Sequence, residues 1–497
     1  MLRKTTTDDG STSDSREVLM TTACHVVGAI LLGQLWPQAS ACTQDGTGAD
    51  ASEEHSADHW NLGGGFDLTP DVDGDGLSDL VVIGQRSRPA GEDWSHSWEL
   101  LSVSGRDGSV FWRLARTEFE TLLPGHAELT PAYVQSWADW DTDGTADVLL
   151  VVRVSKSWIE GPWEVLILSG ETGKLIANPK IPSDALPNVV LGGPAWTTRE
   201  PEEVGGGLVL ERQRRSRDGG AWERYSKAEG LDWGRLRIWS FGPGGSKLES
   251  EVDAPTGEVF CSSPNWIEGL PGHSTWGFVC LSRVPGQEEA SLRSFRVSHR
   301  EGGLLEWTML NPPELKLATN AYLEALDPGD VNADGVLDIA VASSYFLLPG
   351  QERRVVILDG ASGAVLVEFV DHGPGAESFG CDIENWKVCG FASSLAVLGD
   401  LDRDGANELV IGSSEAFGGS GGVVVLNPRT KEVLGLVQGG FDTYKLGTML
   451  DAGFDFNADG VPDFVASEQA SMYAKAGKPK FQICSGLSFE TIRLLPD

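Results

Sequence analysis

The chain has 497 residues, of which 40% are hydrophobic, and it is rich in glycine, with 62, and in tryptophan, with 17. This length can form several ordinary domains or one large repeat architecture. The formal net charge of −35 at pH 7 disfavours nucleic acid as a partner, because the phosphate groups would be repelled.

The N-terminal region has the features of an exported protein. Basic and polar residues precede an apolar stretch at 18–36, and a small-x-small cleavage pattern follows at 39–41, which predicts a signal peptide over residues 1–41. Cys42 comes next, so lipidation at Cys42 is an alternative to free secretion. Residues 42–57 are polar and predict a linker. Because no later segment reaches about 18 apolar residues, we expect no transmembrane segment in the mature chain, which is secreted or held at the cell surface.

An acidic loop of nine residues recurs five times along the chain. The first copy, residues 71–79, has carboxylates at positions 1, 3, 5 and 9, glycine at position 6, and the apolar run Leu80–Ile83 directly after it, which predicts a buried strand. Oxygen ligands at alternate positions of a tight loop suit Ca²⁺. We therefore predict about five Ca²⁺ sites. Their side-chain ligands would be Asp71, Asp73, Asp75, Asp79, Asp139, Asp141, Asp143, Asp147, Asp330, Asn332, Asp334, Asp338, Asp400, Asp402, Asp404, Glu408, Asp455, Asn457, Asp459 and Asp463.

Three other known types of calcium-binding loop match this sequence less well. An EF-hand needs flanking helices and a glutamate at position 12, where these loops have only apolar residues. Dockerin-like loops share the sequence of residues 330–335 but lie on helices in close pairs. A nonapeptide β-roll would repeat every nine residues. A single copy would also fit an ordinary acidic turn without metal, but five copies with an acid at position 9 and a strand behind it favour calcium.

A second unit, two strands around a turn of small and polar residues, occurs seven times and predicts β-hairpins. The hairpins are Trp98–Trp112, Trp163–Ile176, Arg235–Glu249, Leu292–Trp307, Arg354–Phe369, Val423–Val437 and Phe481–Leu495. The acidic loops begin 55 to 70 residues apart, except for one gap of 191 residues between Asp139 and Asp330. That gap holds about three periods, so a third and a fourth repeat keep the hairpin without the acidic loop. Their other strands are predicted at 189–196, 206–210, 258–266 and 276–281.

Repeats of this length with four short strands each predict a β-propeller. We expect an all-β fold, namely a seven-bladed β-propeller with four antiparallel strands per blade, over residues 58–497, and a monomer. In each blade strand A precedes the acidic loop, strand B follows it, and strands C and D form the hairpin.

The repeats resemble FG-GAP (VCBS-type) repeats, the family that builds the integrin α-subunit propeller. The resemblance is clearest at Gly390–Asp400, continues through the acidic loop to Leu409–Gly412, and extends from about residue 60 to the C-terminus. It implies Ca²⁺ in the A–B loops, bound by the side chains at positions 1, 3, 5 and 9 and by the backbone carbonyl at position 7. Those carbonyls belong to Leu77, Thr145, Val336, Ala406 and Val461. The third and fourth repeats depart from this pattern, so the resemblance carries no metal ligands onto them.

The cysteines fit an oxidising compartment. Cys261 and Cys280 fall on neighbouring predicted strands of the fourth repeat, and Cys381 and Cys389 are close in sequence, so both pairs are candidates for disulfides. Cys484 lies in an apolar strand and is predicted to be a buried thiol.

The sequence favours recognition over catalysis. The eight histidines are scattered, and no HExxH, GxSxG or P-loop motif is present. Long loops on the face opposite the acidic loops carry aromatic and basic side chains, which interfaces favour. These are Trp94, Arg212, Arg214, Arg215, Arg217, Trp222, Tyr225, Trp386, Tyr473, Lys475, Lys478 and Lys480. We expect an adhesion-type module with a protein or glycan ligand on that face. The alternative is a secreted polysaccharide lyase or hydrolase on the same scaffold.

Overall fold

The computed structural model of the chain describes residues 60–61, 65–86, 98–123, 129–136, 139–154, 163–179, 190–192, 207–215, 222–224, 234–242, 245–261, 265–268, 276–287, 289–299, 305–310, 315–318, 322–344, 353–370, 390–440, 445–468 and 481–495. Within these ranges the strands form the seven blades of a β-propeller, and blades 4 and 5 are joined into one ten-stranded sheet. The predicted fold class is therefore confirmed.

The first three blades occupy the N-terminal half of the repeat region. Blade 1 has β1 (Trp60–Asn61), β2 (Phe66–Thr69), β3 (Asp79–Arg86), β4 (Trp98–Val103) and β5 (Val110–Ala115), followed by helix α1 (Arg116–Leu122). Blade 2 has β6 (Leu129–Ser136), β7 (Val148–Val154), β8 (Trp163–Leu168) and β9 (Leu175–Ala177). Blade 3 has β10 (Val190–Gly192), β11 (Gly207–Arg215), β12 (Trp222–Arg224), β13 (Arg235–Gly242) and β14 (Gly245–Asp253).

The remaining four blades follow in chain order. Blade 4 has β15 (Val259–Phe260), β16 (Asn265–Glu268), β17 (Trp276–Arg283), β18 (Glu289–His299), β19 (Leu305–Met309) and β20 (Lys316–Ala318). Blade 5 has β21 (Tyr322–Leu326), β22 (Ile339–Ser344), β23 (Arg354–Leu358) and β24 (Val365–Val370). Blade 6 has β25 (Phe391–Gly399), β26 (Glu408–Ser413), helix α2 (Ala416–Gly419), β27 (Gly422–Leu426) and β28 (Val433–Gln438). Blade 7 has β29 (Leu450–Phe454), β30 (Asp463–Ser467), β31 (Phe481–Cys484) and β32 (Thr491–Leu495).

Burial falls from the middle of each blade towards its outer edge. In blade 6 every residue of strands B and C, β26 and β27, is buried. Strand D is different, because β24 of blade 5 and β28 of blade 6 both mix buried and exposed residues. Strands B and C are covered on both faces by neighbouring blades, which explains their uninterrupted apolar runs, whereas strand D lies at the rim and carries polar residues.

The hydrophobic core lies between blades. Phe66 and Leu68 of blade 1 pack with Phe481 and Ile483 of blade 7, and the rings of Phe66 and Phe481 have centroids 4.7 Å apart. The backbone N–H of Leu68 also donates to the carboxylate of Asp451 in blade 7, at 2.9 Å. The first and last blades therefore contact each other, and this contact closes the ring.

The two repeats without an acidic loop form blades at the predicted positions. Blade 3 pairs β10 with β11 and β11 with β13, and blade 4 pairs β16 with β17. Blade 4 departs from the regular pattern, since β15 and β16 both pair with β17. In addition, β16 pairs in parallel with β21, which joins blade 4 to blade 5.

Two predicted features of the N-terminal region lie outside the described residues. These are the signal peptide at 1–41, with the cleavage site before Cys42, and the polar linker at 42–57. No helix of the described residues is long and apolar enough to cross a membrane.

The structure agrees with only part of what the sequence predicts for the cysteines. Cys261 and Cys280 are both buried in blade 4, but the structure has them as thiols, so the predicted disulfide is not formed. Burial raises the pKa of the Cys280 thiol well above its ordinary value. Cys484 is a buried thiol, as predicted, and burial raises its pKa to about 12. Cys381 and Cys389 lie outside the described residues.

Candidate metal centre

The five acidic loops each connect strand A to strand B of a blade, in blades 1, 2, 5, 6 and 7. Positions 4 and 6 of every loop have positive φ. Position 6 is glycine in all five, with φ from 82° in Gly460 to 95° in Gly144. Side chains rarely adopt that conformation, so glycine at position 6 lets the loop fold back on its own first residue.

The carboxylate at position 1 holds the loop together. Asp71 Oδ1 accepts from the backbone N–H groups of Gly74, at 2.6 Å, and Asp75, at 3.0 Å, while Oδ2 accepts from Gly76 at 2.7 Å. The first aspartates of the other loops accept in the same way from positions 5 and 6, namely Asp139, Asp330, Asp400 and Asp455.

Positions 3 and 5 form a second set of local contacts. In the first loop, Asp73 Oδ1 accepts from the N–H of Asp75 at 3.0 Å, and Asp75 Oδ1 accepts from the N–H of Leu77 at 2.8 Å. Asn332 and Asn457, which replace aspartate at position 3, accept the same hydrogen bond through Oδ1. The side-chain oxygens of one loop therefore have a repeated arrangement, whether position 3 is aspartate or asparagine.

The acid at position 9 is buried and connects two parts of the blade. Asp463, which is fully buried, accepts from the N–H of Phe456 at 2.8 Å through Oδ2 and from the N–H of Gly486 at 2.9 Å through Oδ1. Gly486 belongs to the turn between strands C and D. Asp79, Asp147 and Asp338 make the equivalent pair of contacts in blades 1, 2 and 5.

Blade 6 makes this connection with different residues. The C–D turn there has Pro428, which has no N–H, where the other four turns have glycine. Glu408 occupies position 9, and its Oε1 accepts from Asn427 Nδ2 at 3.2 Å. Asn427 Nδ2 also lies 2.8 Å from Asp402 Oδ2.

The acidic side chains converge within single loops. In blades 1, 2 and 6, three carboxylates each present an oxygen within 4.8 Å of the other two. The three sets are Asp71, Asp73 and Asp79; Asp139, Asp141 and Asp147; and Asp400, Asp402 and Asp404. The loops of blades 5 and 7 have one carboxylate fewer, because asparagine stands at position 3.

Burial strongly raises the pKa of the acids at position 9. It raises the pKa of Asp79, Asp147, Asp338 and Asp463 to about 6, against the opposing effect of the backbone N–H donors. It raises the pKa of Glu408 to about 7, and the neighbouring loop carboxylates contribute to that increase. A divalent cation would offset this clustering of negative charge. The atoms that the loops offer as metal ligands are all hard oxygens, which are the ligands that Ca²⁺ prefers, so the residues present fit Ca²⁺.

Basic side chains from two C–D turns contact three of the loops, which the sequence did not predict. Arg106 Nε lies 3.0 Å from Asp75 Oδ2 in blade 1. Arg429 Nε donates to the carbonyl oxygen of Val331 at 2.8 Å, in the loop of the preceding blade. The recurring turn after strand C was visible in the sequence, but its contact with the acidic loop was not.

The structure brings the predicted ligands together loop by loop, and their role as ligands stays a prediction. Most of the predicted recognition residues lie outside the described ranges, including Trp94, Trp386 and Tyr473. Arg214 and Arg215, by contrast, lie within the described ranges, on strand β11. This strand continues past the residues that pair with β13, and its last residues pair with β12. Strand B of blade 3 is thus extended by a hairpin at the end away from the A–B connection.

The fold and the five loops define a class, the seven-bladed β-propeller with acidic A–B loops. No protein-family model matches the chain. Known proteins with a similar sequence include integrin alpha-7 of Rattus norvegicus, 30% identical over 176 residues, and of Mus musculus, 31% identical over 179 residues. These matches cover 33% of this chain and 14% of each relative, so the chain matches only a small part of the relatives' length.

A further relative is integrin alpha-7 of Homo sapiens, 29% identical over 185 residues, which cover 36% of this chain and 13% of the relative. A solved structure described as "Structure of Dos1 propeller" has a TM-score of 0.29 and 10% identity, covering 58% of this chain and 77% of that chain. About a third of this chain is therefore similar in sequence to part of integrin alpha-7, and its fold is a β-propeller.

Proposed function

We propose that this chain is an exported, calcium-binding β-propeller that serves as an adhesion-type module for a protein or glycan ligand. The observation that carries the proposal is the repeated loop, in which five sets of oxygen donors adopt one arrangement. The similarity to integrin alpha-7 supports the same conclusion.

Bound calcium would stabilise the propeller because it offsets the electrostatic repulsion between the carboxylates of each loop. Asp71, Asp73 and Asp79 come within 4.8 Å of one another at one loop. Their mutual repulsion costs on the order of 1 kcal/mol or more per ionised pair. Ca²⁺ would replace this repulsion by attraction and fix the connection between strands A and B.

Recognition would occur on the face opposite the loops, and the hairpin of β11 and β12 would contribute to that face. Arg214 and Arg215 lie on this hairpin, and arginine is favoured at interfaces. A sulfated or carboxylated glycan and an acidic protein surface would both complement these side chains.

The metal part is tested on the full-length chain. We expect equilibrium dialysis to find about five bound Ca²⁺ ions, and EDTA to lower the melting temperature. Trp140 lies within the second loop, so Tb³⁺ bound there should give luminescence on tryptophan excitation, and Asp143→Asn should remove that signal. No bound Ca²⁺, together with a melting temperature unchanged by EDTA, would contradict the proposal.

The recognition part is tested with a glycan array and an assay for new reducing ends on the glycans that bind. Binding without release is expected, whereas release would support the lyase or hydrolase. The variant Arg214→Ala/Arg215→Ala should weaken binding. Its matched control, Lys174→Ala/Lys431→Ala, removes two charges from the C–D turns, on the opposite face, and should bind normally. Equal binding by both variants would place the ligand elsewhere.

A further inference from the structure

The acidic loops of blades 5 and 6 are physically joined, and Arg429 is at the centre of the joint. Its Nη2 donates to the carbonyl oxygen of Asp330 at 2.6 Å, and its Nε donates to that of Val331 at 2.8 Å. Its Nη1 donates to the carbonyl oxygen of Asp404. One guanidinium therefore binds positions 1 and 2 of the blade-5 loop and position 5 of the blade-6 loop.

A backbone contact links the same two loops. Gly329, which directly precedes Asp330, forms an isolated antiparallel bridge with Ala406, at position 7 of the next loop. The N–H of Asn407 donates to the carbonyl oxygen of Pro328 at 2.9 Å. Each loop thus touches the other both through backbone and through one arginine side chain.

Arg106 provides an internal comparison, because it occupies the same place in the C–D turn of blade 1. Its Nη2 donates to the carbonyl oxygen of Asp75 at 3.0 Å, and its Nε lies 3.0 Å from Asp75 Oδ2. Both contacts are with the loop of its own blade. Among the described contacts, Arg106 therefore supports one loop where Arg429 supports two.

We propose that the loops of blades 5 and 6 bind divalent cations as a coupled pair, with Arg429 as the positioning residue that couples them. This inference rests on the proposed calcium binding. When an ion orders one loop, it fixes the carbonyl groups that Arg429 binds, and the arginine then restricts the other loop. The second ion meets a loop that has already lost part of its freedom, which is positive cooperativity.

Geometry, rather than charge alone, carries the coupling. A guanidinium close to the Asp404 carboxylate, 3.8 Å from Nη1 to Oδ1, would by itself compete with a cation for that carboxylate. A planar fork of donors, in contrast, can hold carbonyl groups of two loops at once, which the single ammonium of lysine does less well. We therefore expect removal of Arg429 to weaken binding at both loops.

The test is Ca²⁺ binding by the full-length chain, measured by equilibrium dialysis on Arg429→Ala and Arg106→Ala. Arg429→Ala should weaken two of the bound ions by about 5-fold or more, and Arg106→Ala should weaken one. Arg429→Lys should behave like Arg429→Ala. If Arg429→Ala weakens one ion or none, or if lysine restores normal binding, the inference is wrong.

A double-mutant cycle separates coupling from a structural role. Asp402→Asn/Asp404→Asn disables the blade-6 loop, and this should weaken binding at the blade-5 loop more when Arg429 is present than in the Arg429→Ala background, where only the backbone link remains. The melting temperature of Arg429→Ala should fall further below wild type in Ca²⁺ than in EDTA, and an equal deficit in both would overturn the inference. If wild type itself binds no Ca²⁺, it is the proposed function that fails, independently of Arg429.

Discussion

The Asn427 side-chain amide donates to the Glu408 carboxylate, Nδ2 to Oε1 3.2 Å, across 19 residues of chain. In the four other looped blades an aspartate makes this contact with a glycine N–H, for example Asp463 with Gly486 at 2.9 Å. Pro428 cannot donate in this way. The longer side chain of Glu408 and the side-chain amide of Asn427 together replace the turn N–H that is missing at Pro428. The proline in the turn and the glutamate at position 9 therefore compensate each other.

Shortening Glu408 tests this compensation. We expect Glu408→Asp to lower the free energy of unfolding by about 1 kcal/mol, because the shorter side chain no longer reaches Asn427. Adding Pro428→Gly should recover part of the loss, since a glycine N–H would then face the aspartate as in the other blades. Urea unfolding in Ca²⁺ of both single variants and the double variant measures the effect, and strictly additive losses would refute it.

The C–D turn glycines are required for close packing against the loop. A Cβ on Gly486 would lie 1.8 Å from the carbonyl oxygen of Pro462. We expect Gly486→Ala to cost about 1–3 kcal/mol, because backbone must move to relieve the overlap. Gly440→Ala is the matched control, as no atom lies within 4 Å of its added Cβ. Similar melting temperatures for the two variants would show that the turn accommodates a side chain.

The asparagines at position 3 should make the loops of blades 5 and 7 weaker sites, because calcium affinity follows the number of charged ligands. Asn457→Asp is expected to tighten Ca²⁺ binding several-fold at low salt. Asn332→Asp should also lower stability in EDTA, since Asn332 Nδ2 donates to Asp359 Oδ2 at 2.9 Å and a carboxylate would repel it. Calcium titration and melting in EDTA check the two effects, and unchanged affinity for Asn457→Asp would contradict the charge argument.

Asp451 should make the ring-closing contact sensitive to pH. Burial raises its pKa, and the carboxyl interacts with Asp67 of blade 1. The folded state therefore holds the proton more tightly than the unfolded chain, so the stabilising contribution is present below the unfolded pKa and is lost as pH rises through the folded pKa. Asp451→Asn cannot titrate, so its melting temperature relative to wild type should rise with pH.

The measurement is thermal unfolding between pH 4 and 8 at constant excess Ca²⁺, comparing wild type with Asp451→Asn. A difference that stays constant with pH would rule out titration of Asp451. Asp451→Ala should be less stable throughout, by about 1–3 kcal/mol, because the N–H of Leu68 loses its acceptor.

The sequence by itself determined the repeating parts of this protein. Strand B follows each acidic loop, and strands C and D form hairpins, because alternation and turn residues act over a few neighbouring positions. The spacing of the loops also predicted blades 3 and 4, which lack the acidic pattern. Glycine at position 6 of every loop permits the positive φ that the structure has there.

Only the tertiary structure decided which repeats contact each other and through which atoms. Asp463 reaches Gly486, Arg429 reaches Asp330 at a separation of 99 residues, and Leu68 reaches Asp451 at a separation of 383. Local patterns carry no information about such partners, because each contact exists only when the ring has brought distant blades together. The disulfide expected between Cys261 and Cys280 shows the same limit: neighbouring strands were predicted, but whether the two sulfurs are joined depends on the packing of blade 4.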